Sequence, residues 1–416
     1  MLQRNRVVVS GFGILAANGI GPEAFWKSLV EGESGIAPVT FFDASNLTTR
    51  IAGEVKNFDP AAYLPEDIKP IRLARFTQFA LTALQMAFKE SRLDRETLTR
   101  AAPIPVIIGV STSSVEVIEK QYERLQSKGP RHVSAFTAMS GFPQAAANAI
   151  AAALGVETQL LTVSSGCPAG MDAIAAAAQW IRSGKADIAV AGGTDTPITP
   201  LTMASFCASR SMSTRNDEPA RASRPFDRDR DGGVMAEGCG VVILENMDHA
   251  IARGLAPHAE ITGYGTQADP PGTEPGTGLT TSMTMALANA SHRPEEVDYV
   301  CAHGPSDVQL DRQETASIKK VLGERAYSIP VSSIKGVTGN PLAASGPMQL
   351  IASLLCLREK RVPPTANYTY RDDACDLDYV PGKARSGQFS CILINNHGIG
   401  GTNSSMVLEE VEHPCN

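Results

Sequence analysis

The chain has 416 residues and a formal net charge of −7, with 43% hydrophobic and 19% charged residues. These values are typical of a globular protein with a substantial core, built as two or three domains or as one duplicated domain. The negative charge argues against a nucleic-acid partner, and no apolar run is long enough to predict a membrane span. An acidic partner would need a local basic patch, for which the candidates are Arg72, Arg75, Arg124, Arg131 and His132.

Eight cysteines are scattered along the chain, at positions 167, 207, 239, 301, 356, 375, 391 and 415. They form no Cys-x-x-Cys pair, which favours free thiols in a reducing compartment over a disulfide framework, and we predict no metal site. Residues 1–6 lead into an apolar strand without the apolar core of a signal peptide. We therefore expect a cytoplasmic protein.

Apolar strands alternate with Ala-rich helices, which is the pattern of an α/β fold. The first half predicts strands at 7–10, 105–110, 159–163, 188–191 and 239–244, and helices at 22–31, 73–91, 115–125, 143–154 and 171–180. The second half predicts strands at 259–265, 299–302, 330–333, 391–395 and 405–409, and helices at 282–290, 312–322 and 347–358. The repeated order predicts a duplicated architecture with halves at 1–250 and 251–416. No low-complexity linker separates them, so we expect one compact body.

Cys167 follows a predicted buried strand, 160–163, and the turn Ser-Ser-Gly, and it precedes an Ala-rich helix whose first turn accommodates Pro168. A cysteine at such a turn faces the free N–H groups and the positive dipole end of the helix, which favours thiolate over thiol. This environment suits a nucleophile that forms a thioester. The alternative is a small buried residue, which is the more common use of a single cysteine.

His303 lies at the C-terminal end of a predicted strand, where catalytic groups gather in α/β sheets. Gly304 and Pro305 follow it and predict a tight loop that fixes the imidazole. A neutral imidazole there can donate to or accept from a thioester or carboxylate. The alternative is a loop histidine whose ring is satisfied by backbone groups.

Two glycine-rich segments follow strands in the second half. Lys335 and Asn340 lie in IKGVTGN, which lacks the Walker spacing, so nucleotide binding is disfavoured. Gly400 lies in GIGGTN, which precedes a strand and not a helix, so a dinucleotide loop is also disfavoured. The backbone N–H groups of this loop suit an oxyanion hole together with that of Cys167.

The segment 211–231 is dense in Arg and Asp. Its composition favours a solvent-exposed loop with ion pairs that each contribute little. The alternative is a rigid loop that shapes a site beside Phe206.

The motifs SSGCPAG, CAHGPS, IKGVTGN and GIGGTN, in this order, resemble the condensing enzymes of the thiolase-like superfamily. The resemblance is greatest to β-ketoacyl-acyl-carrier-protein synthases and type II polyketide ketosynthases, and it covers nearly the whole chain. It implies a thiolase-like duplicated αβαβα five-layer α/β fold without a bound cofactor. It also implies an acyl carrier protein as partner, which presents the substrate on phosphopantetheine. The assembly implied is a homodimer, or a heterodimer with a chain-length-factor-like subunit.

The resemblance also implies roles for matched residues. Cys167 matches the nucleophile that accepts the acyl chain, and His303 matches the histidine that helps to decarboxylate a malonyl thioester. Lys335 matches a lysine that orders the site, and Phe206 resembles a gate of the acyl pocket. In such enzymes the decarboxylated carbanion attacks the acyl-cysteine, and its enolate oxygen needs hydrogen-bond donors.

Several matched positions depart from the elongating enzymes. Asn340 replaces a second histidine, as in the initiating synthases, and can donate to an enolate but cannot carry a proton. Gln349 replaces a glutamate and removes a charge expected to face Lys335. Asp307 replaces a hydroxyl residue near the pantetheine arm. In the glycine loop, His397 and Ile399 replace phenylalanines, and the former brings an unusual imidazole close to the cysteine.

The implied function is that of an acyltransferase that loads an acyl chain onto Cys167 and forms a C–C bond by decarboxylative Claisen condensation. The departures keep two alternatives open. One is non-decarboxylative cyclisation or acyl transfer, with His303, His397 or Asp307 as base. The other is a non-catalytic subunit of a ketosynthase heterodimer, which the retained cysteine, histidine and lysine disfavour.

Overall fold

A computed structural model describes residues 5–411, so residues 1–4 and Cys415 lie outside the described residues. The strands are β1 (Val7–Ala16), β2 (Gly19–Ile20), β3 (Ala37–Pro38), β4 (Ile51–Ala52), β5 (Ile104–Gly109), β6 (Thr158–Val163), β7 (Ile188–Asp195), β8 (Gly238–Asn246), β9 (Ala259–Ala268), β10 (Tyr299–Cys301), β11 (Val331–Ser332), β12 (Arg361–Val362), β13 (Arg385–Ser386), β14 (Cys391–Gly398) and β15 (Thr402–Glu409).

The α helices are α1 (Pro22–Glu31), α2 (Arg75–Ser91), α3 (Arg95–Ala101), α4 (Val115–Lys128), α5 (Thr137–Ser140), α6 (Ala145–Leu154), α7 (Ala169–Arg182), α8 (Pro200–Ala208), α9 (Met247–Ala252), α10 (Leu279–Ala290), α11 (Val308–Leu322), α12 (Lys335–Thr338) and α13 (Ser345–Glu359). Every strand and helix predicted from the sequence has a counterpart here. The first strand is longer than predicted because its second part, GFGILA, continues the antiparallel pairing with β8.

Two groups of strands share one topology. Their spatial orders are β6-β5-β7-β8-β1 and β11-β10-β14-β15-β9, so each group places its strands third, second, fourth, fifth and first in chain order. In each group the first three strands pair in parallel and the remaining pairs are antiparallel. The groups join where Val8 and Val9 pair with Glu260 and Ala259. The chain is therefore duplicated, while the division into domains at residue 250 stays a prediction.

Helices cover the outer faces of both strand groups and separate the two groups from each other. The central helices α7 and α13 share one apolar core with both strand groups, including Ile174, Ile351 and Ile394. The outer helices α2 and α6 pack on the first group, and α10 and α11 pack on the second. Helix α13 is apolar around most of its surface because it is covered on all sides. The result is five layers, in the order αβαβα.

The prediction that residues 160–163 form a buried strand is wrong. Strand β6 is at the edge of its sheet, pairs with β5, and leaves Leu160 and Leu161 each 47% exposed. An apolar run indicates a surface that must be covered, but it does not show whether the same chain supplies the cover.

The prediction of a solvent-exposed loop at 211–231 is wrong for residues 222–227 and Arg230, which are buried. Arg224 and Arg230 are buried in this segment, and Arg230 contacts Asp311 at 3.2 Å and Asp372 at 2.9 Å. Arg224 pairs with the buried Asp227 at 2.9 Å. Composition alone misled because these charges neutralise one another inside the protein, so the alternative of a rigid loop describes the segment better.

The cysteines in the described part of the chain are free thiols, and all except the half-buried Cys207 are buried. Between residues 5 and 411, no helix has the length and apolar character needed to cross a membrane.

Candidate active site

One pocket collects most of the predicted site residues: Cys167, Phe206, His303, Asp307, Asn340, His397 and Ile399. Two others lie outside its lining. Lys335 is buried behind His303, and Gly400 is exposed on the turn between β14 and β15. The lining also contains residues that the sequence did not single out: Ser211, Met212, Gly233, Val234, Met235, Pro305, Leu310 and Leu342.

Cys167 lies in the turn between β6 and α7. Gly166 has a φ of +81°, a conformation that costs glycine little. The turn between β14 and β15 packs directly on the cysteine, since a Cβ at Gly398 would lie 3.2 Å from the Cys167 nitrogen. The backbone N–H of Ile399 faces the Cys167 sulfur and acts to lower its pKa. The two glycines therefore allow an N–H donor to approach the sulfur.

Burial counteracts the predicted preference of this environment for thiolate. Burial raises the pKa of Cys167 to about 11 and outweighs the Ile399 N–H and the charge of Lys335, which both act to lower it. Removal from water disfavours the charged form more strongly than these donors favour it. At neutral pH the site therefore holds a thiol.

His303 lies two residues after the end of β10 and is held by its backbone and its ring. Glu314 accepts hydrogen bonds of 2.8 Å from the N–H groups of His303 and Gly304. The Lys335 Nζ lies 2.7 Å from the His303 carbonyl oxygen and 3.4 Å from its Nδ1. An ammonium group only donates, so Nδ1 accepts and the ring proton is on Nε2. Burial, with the charge of Lys335, holds the pKa of His303 well below its ordinary value, so the ring is a neutral donor.

Gln349 bonds to backbone carbonyl groups, at the position where the resemblance implied the loss of a charge facing Lys335. Its Nε2 lies 2.8 Å from the Ala302 carbonyl oxygen, 3.0 Å from that of Asn395 and 3.3 Å from that of Cys301. The amide therefore joins β10 to β14 beneath the site. Burial lowers the pKa of Lys335 to about 8, and Glu314 is the acid that most opposes this shift.

Asn340 and Asp307 lie at the pocket wall. The Asn340 backbone pairs with the segment at Met235, and its Oδ1 has no hydrogen-bond partner within the described residues. The Asp307 carboxylate caps α11 by accepting from the N–H groups of Gln309 and Leu310, each at 2.9 Å. This capping role makes Asp307 a poor candidate for the base that the sequence analysis considered.

The imidazole of His397 lies opposite that of His303, with ring centroids 5.9 Å apart. His397 is buried, and its Nδ1 lies 2.8 Å from Oδ1 of Asn403. Ile399 is 64% exposed at the pocket mouth, and Phe206 is half-buried on α8.

Sequence reasoning missed Glu314, Asn403 and Asp195. Asp195 is buried at the end of β7 and accepts from the N–H groups of Ser111, Thr112, Ser113 and Ala343, at 3.0, 2.8, 3.1 and 2.9 Å. Its place at the C-terminal end of a predicted strand was an available signal. Glu314 and Asn403 had no such signal, because each acts on a residue that the fold brings to it.

Residues 4–250 match the family model described as beta-ketoacyl synthase, N-terminal domain, and residues 258–369 match beta-ketoacyl synthase, C-terminal domain. The chain belongs to the β-ketoacyl synthase family. The resemblance identified from the sequence motifs is therefore confirmed, and with it an enzyme of the acyltransferase class.

Two curated relatives of this β-ketoacyl synthase cover almost its whole length. It is 38% identical to 3-oxoacyl-(acyl-carrier-protein) synthase 2 of Coxiella burnetii, over 99% of this chain and 100% of the relative. It is also 38% identical to the tetracenomycin polyketide synthase ketoacyl synthase alpha subunit of Streptomyces glaucescens, over 97% of this chain and 96% of the relative.

Solved structures agree with the predicted fold. A type II polyketide synthase acyl-carrier protein in complex with its ketosynthase, bound to the hexaketide, matches with a TM-score of 0.90 at 32% identity, over 98% of this chain and 100% of that one. A beta-ketoacyl synthase from Burkholderia phymatum matches with a TM-score of 0.91 at 29% identity, over the same shares. The thiolase-like five-layer fold is therefore confirmed.

Proposed function

We propose that this β-ketoacyl synthase takes an acyl chain from a carrier-protein thioester onto Cys167 and lengthens it by decarboxylative Claisen condensation. The observation that carries the proposal is the meeting of a nucleophile with hydrogen-bond donors in one pocket. Cys167 supplies the thiol, while His303 and Asn340 supply donors on the same pocket wall.

In the loading step, the Cys167 sulfur attacks the carbonyl carbon of the incoming thioester. The negative charge that develops on the carbonyl oxygen needs N–H donors close to the sulfur. The backbone N–H of Ile399 faces that sulfur. With the N–H of Cys167 it forms the proposed oxyanion hole. Collapse of the intermediate releases the phosphopantetheine thiol of the carrier and leaves the acyl group on Cys167.

In the condensation step, a malonyl thioester loses carbon dioxide and its electrons form an enolate. The Nε2–H of His303 and the side-chain amide of Asn340 are the donors proposed for the enolate oxygen. The carbanion attacks the acyl carbonyl, the Cys167 thiolate leaves, and the carrier retains a β-ketoacyl chain. No proton passes through Asn340 in this sequence, so an amide at this position is compatible with condensation. Neither predicted alternative function is needed.

The substrate's acyl chain is proposed to lie along the apolar part of the pocket, where Phe206, Met212, Met235 and Leu342 form the wall. Ile399 at the mouth is a smaller gate than the phenylalanine implied by the resemblance. Fewer side-chain atoms must move there to admit a substrate.

The proposed partners are an acyl carrier protein and a second copy of the chain, in the cytoplasm. Arg72 and Arg124 line one surface cleft together with Lys120, which suits an acidic carrier. The Arg75 guanidinium is already paired with the buried Glu237 at 2.7 Å, so it is not proposed to bind the carrier protein. The exposed apolar edge of β6 favours a homodimer. Free thiols throughout the described chain favour a reducing compartment.

Intact-protein mass spectrometry with an acyl-carrier thioester tests the loading step. We expect the acyl mass on the wild type and on Cys207→Ser, a matched control with a half-buried cysteine, but not on Cys167→Ala. An adduct that persists in Cys167→Ala would overturn the assignment. Release of carbon dioxide from malonyl carrier protein tests condensation, and its absence from a fully acylated enzyme would reject that step.

A further inference from the structure

The side-chain amide of Asn403 has one orientation that its neighbours allow. Its Nδ2 lies 3.0 Å from the carbonyl oxygen of Gln267, 2.8 Å from Oδ1 of Asp269 and 3.1 Å from the carbonyl oxygen of Gly401. All three atoms are acceptors, so the amide nitrogen must face them. The amide oxygen then faces Nδ1 of His397, at 2.8 Å.

This orientation assigns the tautomer of His397. An amide oxygen only accepts, so the neutral ring carries its proton on Nδ1 and a lone pair on Nε2. Within the described chain, Nε2 makes no hydrogen bond, and the residue lines the pocket that also contains Cys167. Asp269, Asn403 and His397 thus form a chain in which a carboxylate holds an amide and the amide holds an imidazole. A base oriented by a third group is a recurring arrangement for activating nucleophiles.

The two imidazoles of the pocket differ in what they offer. Nδ1 of His303 is occupied by the Lys335 ammonium, so its Nε2 carries the proton and donates. The positive charge of that lysine also opposes any further protonation of His303. His397 has the opposite arrangement, with Nε2 free to accept. The donor and the acceptor face one pocket, with ring centroids 5.9 Å apart.

We propose that His397 is the general base that takes the thiol proton of Cys167 during acyl loading, which rests on the proposed function above. The S–H bond breaks as the proton moves to Nε2, and the sulfur bonds to the thioester carbonyl carbon. The C–S bond to phosphopantetheine then breaks, and the departing sulfur takes the proton back from Nε2. His397 ends neutral, and no other reactant is consumed.

A base is needed because the buried thiol does not ionise by itself. Burial raises the pKa of Cys167 to about 11, so the thiol is the dominant form at pH 7. The amide of Asn340 cannot take up a proton. The Asp307 carboxylate already accepts two backbone hydrogen bonds as the N-terminal cap of α11. His397 offers an imidazole lone pair that is free and held in a fixed orientation at the pocket wall.

The first test measures thiol activation without any carrier or acyl substrate. We expect iodoacetamide to alkylate Cys167 in His397→Phe and His397→Gln about 100-fold more slowly than in the wild type at pH 7, the range that general-base catalysis covers. The glutamine variant keeps a polar side chain of similar size but cannot take the proton. His249→Gln, a change of a half-buried histidine on α9 outside this pocket, is the matched control and should react like the wild type.

The second test follows the acylation rate by quenched mass spectrometry, and condensation by single turnover from enzyme that is already acylated. We expect both His397 variants to lose about 100-fold in acylation rate and to condense at near wild-type rates once loaded, with partial rescue of loading by added imidazole. Wild-type alkylation and acylation rates in both folded variants would overturn the inference and leave the proposed function standing. If the wild type never loads an acyl chain, the proposed function fails, and alkylation alone decides the role of His397.

Discussion

The Nζ of Lys335 donates a 2.7 Å hydrogen bond to the carbonyl oxygen of His303 and lies 3.4 Å from the Nδ1 of the same residue. One buried cation therefore holds both the backbone and the ring of the histidine. Burying the ammonium group costs free energy. Burial therefore lowers the pKa of Lys335 to about 8 from an ordinary value of 10.5.

This shift predicts a pH dependence of stability. Between about pH 8 and pH 10.5 the unfolded chain binds a proton on Lys335 that the folded chain has lost, so the unfolding free energy rises with pH across that window. Below it both states are protonated, and the full burial cost is present. Lys335→Met removes the titration, and the wild-type stability relative to this variant should rise by an amount on the order of 3 kcal/mol across the window. Urea unfolding at both ends measures it, and parallel curves for the two proteins would contradict the prediction.

Asp195 predicts a large loss of stability from one carboxylate. In Asp195→Ala, the buried N–H groups of Ser111, Thr112, Ser113 and Ala343 lose their acceptor. Each unsatisfied buried donor costs about 1–3 kcal/mol before relaxation, so we expect a net loss of about 3–5 kcal/mol. Loading should also slow, because Ala343 is adjacent to a pocket residue. Denaturant unfolding measures the loss, the exposed Asp217→Ala is the control, and a loss below about 1 kcal/mol would contradict the account.

Local signals in the sequence predicted the elements and most of the pocket. The strand, turn and helix around Cys167 are encoded by an apolar run, a Ser-Ser-Gly turn and an Ala-rich segment, all within 25 residues of one another. His303 was found because it ends a strand. Each of these signals comes from residues that are close together in the sequence, so it can be found without the structure.

The remaining features depend on residues that only the fold brings together. Arg230 is buried because Asp311 and Asp372 meet it there, and neither is near it in the sequence. The pKa of the Cys167 thiol is raised because burial outweighs the Ile399 N–H and the charge of Lys335, a balance that a sequence pattern does not measure. The resemblance implied only that Gln349 removes a charge facing Lys335, and it did not indicate that the amide nitrogen bonds to three carbonyl oxygens.

Gln349→Glu tests that arrangement. The carboxylate would face the carbonyl oxygens of Cys301, Ala302 and Asn395 without a donor for them, so burial should keep it protonated and raise its pKa above the ordinary value. The folded state then binds more protons than the unfolded state, and stability falls as pH rises above about 4. Gln349→Met, which lacks a charge, should show a loss that does not change with pH. Unfolding free energies at about pH 5 and about pH 8 separate the two, and equal pH dependence would reject the prediction.

The edge of β6 predicts how the chain assembles. Leu160 and Leu161 point to opposite faces of the sheet, yet each is 47% exposed, so both faces are uncovered along with the unpaired backbone of this strand. A second copy that pairs along this edge would cover all three surfaces. A lysine on an edge strand opposes such pairing, because its charge would be buried in the interface.

We therefore expect Leu161→Lys to turn a wild-type dimer into a folded monomer in analytical ultracentrifugation. Ile251→Lys, a similarly exposed aliphatic position on α9, should remain dimeric. A dimer in both variants, at concentrations where the wild type is fully associated, would show that the contact lies elsewhere.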